Sequence, residues 1–144
     1  MKSFSATACA FLLLTSAAAA QAQGDALPSG FEAAPVLTSS ETADGDPIKF
    51  PQTNNPEIVS VTGTLQPGGR TARHQHPIPV FVYVLEGELE VQTEGHDPRT
   101  YKAGEAFLES VNTWHQAHNK SSGPTKILVV FMGEAGKPTT VAAQ

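Results

Sequence analysis

Cysteine is almost absent from this sequence. The single residue of that kind, Cys9, sits in a leader-like stretch and lacks the leucine three residues upstream that a lipidation site requires. With the leader removed, a thiol nucleophile, a thiolate metal site and a disulfide framework are all excluded, so stability has to come from a packed core or a bound metal. Positive charge is scarce as well. Nine Lys and Arg face fourteen Asp and Glu, and loss of Lys2 with the leader leaves eight against fourteen, a formal charge of −6. That balance supplies no basic footprint for nucleic acid or an anionic membrane. No apolar run is long enough to span a bilayer, no helical periodicity appears after the leader, and there is no internal repeat.

What is present begins with Lys2, an apolar core through Phe11-Leu12-Leu13-Leu14 and a run of small residues ending in Ala20-Gln21-Ala22. This is a secretory signal pattern over residues 1–22, and cleavage after Ala20 or after Ala22 fits equally well. A periplasmic or secreted protein of about 120 residues is expected, long enough for one domain with a real core. Residues 23–56 are rich in Pro, Gly, Ser, Thr, Asp and Asn and read as an irregular N-terminal arm with one or two short edge strands. From Glu57 the composition turns to Val, Ile and Thr. Strands are expected over Glu57–Leu65, Val80–Leu85, Glu88–Thr93, Ala106–Val111 and Lys126–Met132, with a flexible tail over 136–144. Short strands spaced by Gly and Pro indicate an all-β barrel or sandwich. If Glu86-Gly87 is a two-residue link, the second and third of these strands form a hairpin that turns Val80, Val82, Val84, Leu89 and Val91 inward. Phe81 and Tyr83 then face outward, which points to cover by the arm or by a second subunit, and a homodimer is expected.

The chemistry concentrates in the histidines. In Arg73-His74-Gln75-His76 two imidazoles one residue apart share a face of an extended chain, with Cα atoms roughly 6.6 Å apart. Two imidazoles converging on one ion make a weak site, and a third ligand is needed. His115, in Thr113-Trp114-His115-Gln116-Ala117-His118-Asn119, is available. His118 lies three residues on and turns to the opposite face, and His96 lies in a polar turn.

At these residues the chain resembles the cupin superfamily. Gly68, His74, His76 and Gly87 fall on the first cupin motif, and Gly104, His115 and Asn119 on the second; the resemblance spans roughly Glu57 to Met132. It implies a single-domain cupin barrel over 57–135, a double-stranded β-helix of jelly-roll type. It also implies one divalent metal ion (Fe, Mn, Zn, Ni or Cu) held by His74, His76 and His115. Three departures stand out: Val80 occupies the place of the usual metal-binding Glu, Ser110 that of a Pro, and Asn112 that of a Gly. No carboxylate is assigned to the site, and Glu105 and Glu109 have no assigned place in the cavity. Three neutral ligands leave the double charge of the ion intact and favour an anionic ligand. Similarity to three-histidine cupins among thiol and diketone dioxygenases, quercetinases included, implies a dioxygenase of a small oxygen-rich or aromatic compound. A metal-dependent isomerase or lyase fits the same ligand set, and so does a non-catalytic cupin that binds a small molecule. Val80, Val82, Phe107, Trp114 and Arg70 are the candidate pocket residues.

Overall fold

Half of the ten residues from Pro56 to Leu65 are Val, Ile or Thr, whose branched side chains suit a pleated backbone. In the computed structural model, which describes residues 30–144, this stretch is β1 (Pro56–Leu65). It is followed by β2 (His74–Gln75), β3 (Val80–Glu86), β4 (Glu88–Thr93), β5 (Arg99–Lys102), β6 (Ala106–Glu109), β7 (His115–His118), β8 (Thr125–Glu134) and β9 (Val141–Ala142). The expected signal segment, residues 1–22, lies outside the described residues. Among those residues no helix is long and apolar enough to cross a membrane.

The strands form two antiparallel sheets, β1-β8-β3-β6 and β5-β4-β7-β2-β9. Their inner faces share one core, to which β3 contributes Val80, Val82 and Val84, β4 contributes Leu89 and Val91, and β6, β7 and β8 contribute Phe107, Ala117 and Ile127. Each of these side chains stabilises the fold by about 1.5–3 kcal/mol at most, Ala117 by less.

The expected hairpin does not form. β3 and β4 exist with nearly the expected bounds, but β3 lies between β8 and β6 while β4 lies between β5 and β7, in the other sheet. The break falls at Gly87, where φ is +75° and an added Cβ would sit 2.6 Å from the Pro124 carbonyl oxygen. Only glycine tolerates that approach, and the chain passes from one sheet to the other there instead of folding back. The inward set nevertheless stands: Val80, Val82, Val84, Leu89 and Val91 are all buried. Alternation belongs to each strand by itself, whichever partner it pairs with.

The two ends of the described chain also differ from expectation. Residues 136–144 do not trail off as a tail: β9 pairs with β2 through His74↔Ala142 and Gln75↔Val141, and the Ala143 N–H donates to the Arg73 carbonyl at 3.0 Å. This satisfies an edge of β2 that would otherwise stand open. The described part of the arm closes a tight turn with a Glu41↔Pro47 bridge. From that turn the Ala43 N–H donates to the Leu108 carbonyl at 2.8 Å, so the arm rests on β6 at the barrel mouth.

Candidate metal centre

The pairing of β2 with β7 sets His74 directly opposite His115, and side chains of directly opposed residues share a face. His76, two residues on, returns to that face. One ring nitrogen from each of the three lies within 4.8 Å of the others, with His76 and His115 buried and His74 half-buried. Each ring is held by a backbone carbonyl at Nδ1: Ala72 for His74 at 2.7 Å, Thr139 for His76 at 2.7 Å and Thr113 for His115 at 2.9 Å. A carbonyl oxygen only accepts, so each Nδ1 donates, and in the neutral ring the lone pair is left on Nε2. Three Nε2 lone pairs are thereby left free within one cluster, each ring held at Nδ1 by a carbonyl as metal-ligating histidines are.

A carboxylate lies beside the cluster. Glu109, at the end of β6, lies 3.1 Å from Nε2 of His76 and 3.5 Å from Nε2 of His115, with only a tenth of its side chain exposed. Burial alone raises its carboxyl, but the facing His115 and His76 outweigh burial and bring it down to about 2. Burial likewise lowers His115, and Glu109 reverses this and leaves it raised. His74 is lowered, mainly by burial, with the neighbouring imidazoles adding to the effect. Nε2 of His115 is buried without a hydrogen-bond partner. An orphaned, inward-pointing nitrogen among two further imidazoles and a carboxylate fits a divalent cation. His74, His76 and His115 are the residues that would hold it.

A sequence profile of the cupin domain matches residues 61–131. The chain belongs to the cupin superfamily. Among its relatives is a germin-like protein of Arabidopsis thaliana, 33% identical over 66% of this chain and 46% of that protein. Similar structures include a DMSP lyase of Ruegeria pomeroyi, with a TM-score of 0.52 and 23% identity over 60% of this chain and 43% of the other. An oxalate decarboxylase of Bacillus subtilis, described as having Mn(II) centres, gives a TM-score of 0.51 and 24% identity over 59% of this chain and 23% of the other. The cupin described here thus spans less than half the length of these three proteins, and the structural likenesses speak for the fold.

Two of the cupin's departures from the family motifs have structural explanations. Asn112 stands where the motif has glycine and adopts φ +57°, a left-handed conformation that asparagine tolerates better than most residues. Its N–H donates to the His76 carbonyl at 2.7 Å, so the turn before His115 survives. Ser110, in place of proline, is buried and donates to the Asp44 carboxylate, which ties the arm to the second motif. The motif residue Asn119 is structural: its side chain donates to the Leu65 and Gly123 carbonyls and accepts from Ser121.

The candidate pocket residues fall in different places. Phe107 lines a partly open cavity of about 10 Å³ beside His115 and Glu109, together with Val91, Tyr101, Arg99 and the arm residues Ala43 and Asp44. That is room for about one water molecule. Val80 and Val82 are packed into the core and do not line it. Trp114 lies in an outer recess under the Arg73 guanidinium, 5.0 Å from its ring centre, and Arg73 also pairs with Glu94 at 2.7 Å. Arg70 is placed by a backbone bridge to His118 and lines neither space. His118 turns away from His115, as the strand alternation requires. Glu109, Asp44 and Thr139 had no place in the expected site. The signal for Glu109 was available in the alternation of Phe107 with Glu109 along β6, whereas nothing local marks Thr139.

Proposed function

We propose that this cupin is a metal-dependent enzyme that oxidises a small, oxygen-rich compound with dioxygen, at a centre held by His74, His76 and His115. The observation that carries the proposal is the convergence of three Nε2 atoms whose Nδ1–H groups are all committed to carbonyls. A divalent ion bound there would supply Lewis acidity and open positions for small oxygen ligands. The chain's own contribution is to fix the imidazole tautomers, to exclude water with Phe107, Val91 and the arm, and to limit the size of what enters. The cavity of about 10 Å³ favours a small compound over an aromatic one, because Ala43 and Asp44 have to shift before a ring is admitted. Export from the cytoplasm, supported by the leader pattern, belongs to the same proposal. So does a homodimer, supported by Ile58 and Val61 on edge strand β1, 70% and 45% exposed.

The test is metal content followed by oxygen uptake. The purified protein is expected to carry about one divalent ion per chain, and His74→Ala is expected to lose most of it. Metal-loaded protein screened against small oxygen-rich acids and enols is expected to consume dioxygen in proportion to substrate lost. Turnover without dioxygen would replace oxidation by lyase or isomerase chemistry, and saturable binding without turnover would make the protein a ligand carrier.

A further inference from the structure

The carboxylate that the first cupin motif lacks at Val80 is present one strand away. Val80 on β3 and Glu109 on β6 are directly opposed residues, and both side chains face the interior. Their Cβ atoms are therefore about 4.5–5.5 Å apart. A glutamate placed on either strand brings its head group to the same region. We infer that Glu109 is a fourth protein ligand of the divalent ion, supplied from the strand that precedes the second motif in place of the missing first-motif residue. This inference rests on the metal-dependent reading given above.

Three observations carry it. The distances fit: two ligand atoms each about 2.1 Å from a shared ion, at angles near 90–110°, are about 3.0–3.4 Å apart, and the Glu109 carboxylate lies 3.1 and 3.5 Å from two of the imidazole nitrogens. The carboxylate is committed to the site, because its only ion-pair partners among the described residues are the same two imidazoles. Finally, His76 and His115 have their Nδ1–H groups on the Thr139 and Thr113 carbonyls. Their neutral Nε2 lone pairs therefore point at a carboxylate, and such a contact repels unless a proton or a metal cation lies between. A ligand set of three imidazoles and one carboxylate cancels one unit of the ion's charge and tilts selectivity toward oxygen-preferring ions such as Mn²⁺. It also leaves fewer positions for substrate than three imidazoles alone.

Full-length protein, its Glu109→Gln and Glu109→Asp variants and His115→Ala are titrated with Mn²⁺ and with Zn²⁺ by competition against a chelator. The expected result for Glu109→Gln is Mn²⁺ affinity at least about tenfold weaker, with partial recovery in Glu109→Asp and a smaller loss for Zn²⁺. A crystal structure of the Mn²⁺-loaded wild type is expected to show a Glu109 oxygen about 2.2 Å from the ion, and this measurement holds even if a variant fails to fold. Unchanged Mn²⁺ affinity in Glu109→Gln, or a Glu109 oxygen beyond about 3 Å from the ion, overturns the fourth ligand and leaves the three-histidine centre standing. A wild type that binds neither ion, indistinguishable from His115→Ala, overturns the centre itself and the fourth ligand with it.

Discussion

The two sheets of this cupin are built from unequal strands and do unequal work. The sheet β1-β8-β3-β6 contains strands of ten, ten, seven and four residues, and its β3 supplies three of the most completely buried side chains. The sheet β5-β4-β7-β2-β9 has strands of four, six, four, two and two residues. It carries His74 and His115, with His76 just past its short β2. A long ladder with apolar alternation specifies its own register, since a slip of one residue would turn every valine outward. A two-residue strand has no such protection. β2 is held instead by β7 on one side, by β9 on the other and by carbonyls that grip its imidazole rings. The site straddles the division, with imidazoles from the short-stranded sheet and a carboxylate from the long-stranded one.

That division is most severely tested inside β3. Val84→Asp places an unpaired carboxylate where no surface is exposed, at a cost of several kcal/mol, enough to unfold a domain of this size. Circular dichroism is expected to show loss of the strand signal, with no rescue by excess divalent metal. His74→Ala in β2 is expected to stay folded while losing metal. Rescue of Val84→Asp by metal would contradict the separation of framework from site.

An intermediate effect is expected from the pair that joins the sheets. In metal-free protein the Glu109 carboxyl is depressed from its ordinary 4.5 to about 2, so its contribution is present above about pH 4.5 and is lost as pH falls toward about 2. The size is roughly 3 kcal/mol at most. His115 is raised, so its contribution is present at acid pH and disappears as pH rises through its elevated value. Denaturant unfolding across pH is therefore expected to give a stability maximum between the two limits, and Glu109→Gln is expected to flatten both limbs. Parallel profiles for wild type and variant would mean that the contact contributes nothing in solution.

The smallest effect is expected on the outer face of the short-stranded sheet. There Lys120 pairs with Glu90 and holds its carboxyl below the usual range. Lys120→Ala is expected to change stability by less than about 1 kcal/mol, and the difference should fade in high salt. A larger, salt-insensitive loss in thermal unfolding would show that this face helps to hold β7 in place.

Much of this arrangement was legible in the sequence because its cause is local. Alternation of apolar residues announced Val80, Val82, Val84, Leu89 and Val91 as core, and the spacing of His74 and His76 announced a shared face. What was not legible depends on which strand lies beside which. The Glu86-Gly87 link looks like a hairpin turn unless one knows that the Pro124 carbonyl crowds Gly87 from outside the local stretch. Glu109 looked unassignable because its position opposite Val80 follows from the β3–β6 pairing. The same holds for residues 136–144, whose composition suggests fraying while the open edge of β2 draws them into a sheet.

The hydrogen bond between His76 Nδ1 and the Thr139 carbonyl, across 63 positions of sequence, also makes the centre depend on residues 135–144. Removal of the residues after Glu134 would leave β1 through β8 whole and His74 opposite His115, but would deprive the His76 ring of its backbone anchor. Clipping by a protease in that stretch is therefore expected to weaken ion capture before it disturbs the sheets.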